Sequence, residues 1–233
     1  MEKTKIIKAI NIKIIEQEVL RYLGYQKNLF SKINLDIKRI IHNEIDQIYS
    51  LMNGKGIYRI IKISSISQNG ITLIDHHYKF LINPNIIYLL NNAKYLVLAV
   101  VTIGPVIEKA VKERFAQNMF VRAMALDAAG TVAVKTVGQW LNHFIEQESF
   151  SEGYKLTRYF EPGSGDWDIS EQKKIFQILK PEKIGVTLND SYMMHPAKSL
   201  SWIRGMGHNL IHSDLKGFSC NYCMLDHCQF RKK

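Results

Sequence analysis

The sequence predicts an α+β domain. Three observations carry this. β-rich segments and long helical stripes follow one another without a regular βαβ alternation. One continuous apolar run, Tyr95–Thr102, has the length and character of a strand buried on both faces. No Gly-x-Gly-x-x-Gly follows a strand, which argues against a doubly wound dinucleotide fold. The chain has 233 residues, 46% hydrophobic and 22% charged, enough to bury a core in one domain with small appendages. We read residues 1–207 as that domain, including an N-terminal helical segment, and residues 208–233 as a cysteine-rich tail.

Residues 1–11 read as an extended lead-in. Ile12, Ile15, Val19, Leu20 and Leu23 recur at helical spacing, and Gly24 is a natural stop. A second helix is expected over Leu35–Met52, with Ile33, Ile37, Ile40, Ile41, Ile45, Ile48 and Leu51 as a core-facing stripe. Ile57–Ile63 is β-rich. Asn69-Gly70 marks a turn, with short strands at Ile71–Ile74 and Tyr78–Ile82. His76 and His77 are adjacent, so on a strand they point to opposite faces and do not readily chelate one ion. Asn83-Pro84 reads as an N-cap with proline at the first helical position, opening a helix through Leu90. After Tyr95–Thr102, Ile103-Gly104-Pro105 turns the chain into a helix to about Gln117. A long helix follows over Phe120–Glu148, where Met124, Ala128, Val132 and nearby Ala/Gly positions allow close packing. No internal repeat or low-complexity linker divides the chain.

The formal net charge is +10. Such a surface suits nucleic acid, an anionic membrane or an acidic protein. The lysines are spread along the chain and no nucleic-acid motif accompanies them, so we expect neither a nucleic-acid nor a membrane partner. No apolar run reaches the length of a membrane span. The N-terminus lacks the uninterrupted apolar core of a secretory signal. The three cysteines cluster in the last fourteen residues, unlike a dispersed disulfide framework, and a cytoplasmic location is expected.

The stretch that organises the chain is Thr157–Gly185, TRYFEPGSGDWDISEQKKIFQILKPEKIG. Arg158 precedes a turn, Pro162-Gly163-Ser164-Gly165-Asp166. Proline fixes φ there, and two glycines open angles that other residues avoid, so the turn can bring backbone N–H groups to a ligand. Asp168 or Ser170 can cap the following helix, whose apolar side is Ile169, Ile175, Phe176, Ile178 and Leu179, with Pro181 just past its end. An arginine, an exposed turn and a helix start suit a ligand bearing a carboxylate. The same residues also suit a surface turn with a solvated arginine.

This stretch resembles the signature of the reactivation (activation) domain of cobalamin-dependent methionine synthase. There an arginine lies a few residues before a Pro-Gly-Tyr or Pro-Gly-Ser turn, then an acidic/Trp segment and a Ser-Glu-Gln helix start. Ile184–Gly205, IGVTLNDSYMMHPAKSLSWIRG, is similar to the family's next block: Leu188-Asn189-Asp190-Ser191 for its Leu-Thr-Glu-Ser core, Met194-His195-Pro196 for its Met-x-Pro step, and Lys198-Ser199-Leu200-Ser201 for its Lys-Ser-Val-Ser strand. A weaker resemblance runs from about Val19 to Gly207.

The resemblance implies a twisted antiparallel sheet flanked by helices. It implies a domain that binds S-adenosylmethionine and presents it to cobalamin (vitamin B12) carried by a partner methyltransferase protein, for reductive activation with an electron from a flavodoxin-like or ferredoxin-like donor. No general acid or base is then required, and the sequence offers no convincing triad or carboxylate pair. Carried over residue by residue, Arg158 binds the methionyl carboxylate. Pro162, Gly163, Ser164 and Gly165 form the binding turn, the glycines and serine giving backbone contacts. Asp190 meets the ligand's amino group or caps a turn. This sequence departs from the family at three places. Ser164 stands where better-studied members have tyrosine. The Arg158-to-Pro162 gap is one residue longer than in many of them. Lys135 stands about where many relatives have glutamate. The chain carries no cobalamin-binding Asp-x-His-x-x-Gly segment, so the resemblance points to a stand-alone reactivation protein. A non-catalytic module that docks on a corrinoid protein is the alternative.

Cys220-x2-Cys223-x4-Cys228 is a compact, metal-like spacing. Three thiolates hold zinc together with a histidine, His212 or His227, or three corners of an iron–sulfur cluster. An electron-transfer accessory role follows from the second case. The spacing differs from the Cys-x3-Cys-x2-Cys loop of radical S-adenosylmethionine enzymes, so radical chemistry is not expected.

Overall fold

The computed structural model describes residues 3–74, 78–165 and 167–210. Their centre is a seven-stranded antiparallel sheet. Its strands are β1 (Lys5–Ile7), β2 (Lys55–Ser67), β3 (Gly70–Leu73), β4 (Lys79–Leu81), β5 (Tyr95–Thr102), β6 (Lys155–Leu156) and, last in the chain, β9 (Ser199–Gly207). The order is β4-β3-β2-β5-β9-β6, with β1 also paired to β2. A separate hairpin joins β7 (Thr187–Leu188) to β8 (Met194–His195). The helices are α1 (Glu16–Tyr22), α2 (Leu35–Leu51), α3 (Pro84–Leu90), α4 (Val106–Ala116), α5 (Phe120–Phe150) and α6 (Gln172–Leu179).

Strand β5 pairs along its whole length with β2 on one side and β9 on the other. Its alternate residues feed two cores. Val97, Ala99 and Val101 pack with Tyr58 and Ile60 under α1, α2, α4 and α5. Leu96, Leu98 and Val100 pack with Ile57, Ile61 and the apolar sides of α3 and α6. Burial on both faces is why its sequence reads as an unbroken apolar run. Strand β2 is longer than the expected Ile57–Ile63. A register shift between Ile63 and Ser65 lets its second half leave β5 and pair with β3.

The long α5 carries Ala123, Ala125, Leu126, Ala128, Ala129, Val132 and Ala133 into the first core. Met124, expected in this packing, is instead 54% exposed. Helix α2 buries the predicted Ile41, Ile45 and Ile48, and with them Glu44. The Glu44 carboxylate is clamped by Arg114 of α4 at 2.9 Å and Arg122 of α5 at 2.5 Å. Helix α3 starts as its sequence predicts, with Pro84 in the first turn and Asn83 Oδ1 accepting from the Ile86 N–H at 2.9 Å. No helix among the described residues is long and apolar enough to cross a membrane.

Candidate functional site

The site stretch is laid against β9, the sheet's last long strand. Leu156 sits opposite Met206 and Lys155 opposite Gly207. Pairing continues at Thr157, whose N–H donates to the Gly205 carbonyl and whose hydroxyl accepts from the Gly205 N–H, both at 2.9 Å. It resumes at Phe160, which exchanges two backbone bonds with Ile203 at 2.9 and 2.8 Å. Between these two anchors, Arg158 and Tyr159 together face the single residue Arg204. Two residues against one make a β-bulge, which bends the strand and re-aims the side chains it carries. The half-buried Arg158 guanidinium sits over the Phe160 ring, Cζ 4.9 Å from the centroid. The Tyr159 ring packs at a tilt on Trp202, 6.2 Å between centroids.

Arg204 is 5% exposed. Its Nε donates to the Thr157 carbonyl at 2.6 Å, and its Nη1 donates to Glu146 Oε1 at 2.8 Å and Asn142 Oδ1 at 3.3 Å, both on α5. Burial draws its pKa down, against the pull of the Glu146 carboxylate.

Beyond Phe160 the chain turns through Pro162, Gly163, Ser164 and Gly165. Gly163 has φ +82° and Gly165 φ +60°, angles that side chains disfavour. Two of the turn's N–H groups are used within it. Gly163 N–H donates to the Trp167 carbonyl at 2.8 Å and Ser164 N–H to the Glu161 carbonyl at 3.1 Å. Gly165 N–H makes no backbone hydrogen bond among the described residues. Trp167, 2% exposed, pins the turn by donating its indole N–H to the Leu81 carbonyl of edge strand β4 at 2.8 Å. Glu171 completes the attachment by accepting the Leu81 N–H at 3.0 Å. Of the two capping candidates, Asp168 takes the role: its Oδ1 accepts from the Ser170 N–H at 2.7 Å. The Ser170 hydroxyl, and then this N–H, hold its pKa below the usual range. A short 3-10 turn, Ile169–Glu171, then leads into α6.

Asp190 lies exposed in the turn between β7 and β8. That turn is capped by its neighbour Asn189, whose Oδ1 accepts from Ser191 N–H at 3.0 Å and Met193 N–H at 2.9 Å. Gln172 of α6 ties the turn to the sheet, donating to the Tyr192 carbonyl and accepting from the Ser201 hydroxyl, each at 2.6 Å. Lys135 of α5 is exposed, hydrogen-bonds the Tyr22 hydroxyl and stands over its ring. Glu161 is half-buried, and its carboxylate has no hydrogen-bond partner among the described residues. Burial raises its pKa, and the Lys135 charge partly offsets that. Asp166, His76, His77, His212 and the metal candidates Cys220, Cys223 and Cys228, with His227, lie outside the described residues. Among the described residues no group of three or more His, Cys, Asp or Glu side chains could hold a metal ion.

Sequence reasoning missed Arg204, Glu161 and Gln172. Arg204 left one signal, a charge in an otherwise apolar strand, SWIRGMG. Glu161 and Gln172 left none, because their surroundings come from distant parts of the chain.

These elements define an α+β protein with a curled antiparallel sheet, an arginine-bearing bulge on the strand beside β9, and a glycine turn pinned to the opposite edge strand. No family model matches the chain, and no curated protein matches it. Among solved structures it is similar to the crystal structure of the MetH reactivation domain bound to AdoHcy. The TM-score is 0.65 and the identity 13%, and the match covers 93% of this chain and 81% of that one. The likeness establishes the fold, and with it the expected antiparallel sheet flanked by helices.

Proposed function

We propose that this chain is a reactivation component acting in trans. In this reading it binds S-adenosylmethionine at the Arg158 turn and supports reductive methylation of the corrinoid carried by a methionine synthase-like methyltransferase. The observation that carries the reading is the bulged Arg158 beside a glycine turn, on a fold shared with a MetH reactivation domain bound to AdoHcy. The residues present suit the ligand's charges. The planar edge of Arg158 matches a carboxylate. Gly165 N–H is a second donor. The half-buried Glu161 carboxylate complements a sulfonium or ammonium where Lys135 does not. S-adenosylmethionine supplies an already activated methyl group, so these residues have only to bind and orient it.

Titration calorimetry of the full chain with S-adenosylmethionine tests this. Binding is expected, weakened at least about tenfold in Arg158→Ala, the scale of one charge-assisted hydrogen bond. A folded protein that takes up no ligand at millimolar concentration would sink the reading. The second reading is a docking module that binds the corrinoid protein without donating methyl. The internal use of the Gly163 and Ser164 N–H groups favours it. Capture of the corrinoid protein without S-adenosylmethionine, and no methyl transfer when it is added, is its expected outcome.

We also propose Cys220, Cys223 and Cys228 as a metal-binding set. Anaerobic purification of the full chain separates its forms. About one zinc per chain means a closed structural site. About three to four irons means a cluster able to pass an electron.

A further inference from the structure

We propose that Arg204 is a positioning residue for Arg158. The inference rests on the reading that Arg158 takes the ligand's carboxylate. Gly205 N–H, the ladder donor opposite Thr157, goes to the Thr157 hydroxyl rather than to the Thr157 carbonyl, which lies just before the bulge and next to Arg158 in the chain. Arg204, the one residue opposite the bulge, donates to that carbonyl from Nε at 2.6 Å. The other end of the same guanidinium is fixed to Glu146 at 2.8 Å and Asn142 at 3.3 Å on α5. The fork therefore braces the bulge against the long helix. Thr157 is held from its other side as well, by its two bonds to Gly205 and by donating its hydroxyl to the Arg158 carbonyl at 2.8 Å. Gly205 admits this approach because it has no side chain: a Cβ there would lie 2.9 Å from Ala93 Cβ and 3.2 Å from Thr157 Cγ2. These bonds anchor the bulge, and Arg204 carries one of them outside the sheet to α5. Lysine cannot replace it, since a single ammonium does not bridge two ends of a planar fork.

The test compares wild type, Arg204→Lys, Glu146→Gln, Arg158→Ala and the double variant Arg158→Ala/Arg204→Lys. Two ligands are used: S-adenosylmethionine, and methylthioadenosine, which keeps the nucleoside and lacks the carboxylate. Amide hydrogen exchange across residues 157–160 is followed in parallel. Arg204→Lys is expected to weaken S-adenosylmethionine binding about tenfold, to leave methylthioadenosine binding unchanged, and to speed exchange at 157–160. Its effect should vanish in the Arg158→Ala background, which a merely structural role would not produce. Glu146→Gln keeps the residue's shape and is expected to act in the same direction, more weakly. Equal loss of both ligands, or loss that adds fully to that of Arg158→Ala, would overturn the proposal. If wild type binds no S-adenosylmethionine, the site reading fails separately, and exchange decides alone: unchanged exchange at 157–160 in Arg204→Lys overturns positioning, and selective acceleration there supports it.

Discussion

The Trp167 indole N–H donates to the Leu81 carbonyl at 2.8 Å, joining the glycine turn to a strand at the far edge of the sheet. Edge strands leave backbone groups unpaired. At Leu81 both groups are taken, the carbonyl by Trp167 and the N–H by Glu171. Trp167→Phe keeps an aromatic ring in the second core and removes that donor. The expected cost is about 0.5–1.5 kcal/mol, the net worth of one hydrogen bond on a partly exposed strand, read as a lower urea midpoint. Glu171→Gln keeps an acceptor for Leu81 N–H and should cost less. Equal midpoints for wild type and Trp167→Phe would show that the turn is held by packing alone.

Glu44 is the only buried carboxylate that bridges α2, α4 and α5 among the described residues. Its side chain is fully buried, whereas Arg114 and Arg122 are 14% and 44% exposed. Glu44→Gln leaves two guanidinium groups facing a neutral amide. Breaking one partner of a buried pair typically costs about 3–5 kcal/mol. Arg122→Ala removes a cation that water already screens, so its cost should be well under that of Glu44→Gln. Urea unfolding of the two variants checks the order, and a reversed order would place the burden of the clamp on Arg122.

Glu44 also marks where the sequence stops being legible. The isoleucines around it recur at helical spacing, and Ile41, Ile45 and Ile48 are buried as that spacing requires. The carboxylate among them is explained only by two arginines some seventy or more residues downstream. Local signals were readable wherever local chemistry decides: Asn83 and Pro84 opening α3, Tyr95–Thr102 as β5, and Asp168 capping the turn before α6. The exposure of Met124 was not, because its neighbours on α5 are sorted by which helix lies opposite. At the site, Arg158 and the glycine turn were legible as residue types. The bulge was not, since it exists only as a mismatch of one residue between two strands far apart in sequence.

The half-buried Glu161 gives the site a pH signature. Burial raises its folded pKa above the ordinary value of 4.5, with Lys135 partly opposing. A raised acid pKa means that the folded state holds the proton more tightly. Stability from this group is therefore fully present below pH 4.5 and is lost as pH rises through the folded value. Glu161→Gln removes the charge that has to be buried. It should stabilise the fold at pH 7 relative to wild type and make little difference at pH 4. Lys135→Met removes the compensating cation and should lower stability at pH 7 in the wild-type background, with no such loss in Glu161→Gln. Urea midpoints at the two pH values check both statements. A Glu161→Gln variant no more stable than wild type at pH 7 would mean that the carboxylate is well hydrated.

Gly163 and Gly165 separate the fold from the proposed ligand contact. Both have positive φ, so an added Cβ strains the backbone at either, by about 1–2 kcal/mol. Their surroundings differ. A Cβ at Gly163 would meet Ile169 Cδ1 and Cγ1 at 3.3 Å, inside the packing that seats the start of the next helical turn. A Cβ at Gly165 meets nothing within 4 Å among the described residues beyond its chain neighbours. Gly163→Ala should therefore lower the urea midpoint more than Gly165→Ala. For S-adenosylmethionine the order should reverse. Gly165 carries an N–H that makes no backbone hydrogen bond among the described residues, and the open space beside it is where a ligand approaching that N–H would meet a methyl group. Calorimetry on the two variants gives the comparison directly. Weaker binding in Gly165→Ala than in Gly163→Ala, despite its higher stability, places the ligand against the turn. Wild-type affinity in Gly165→Ala would move the ligand away from Gly165 and leave Arg158 as its sole anchor on this stretch.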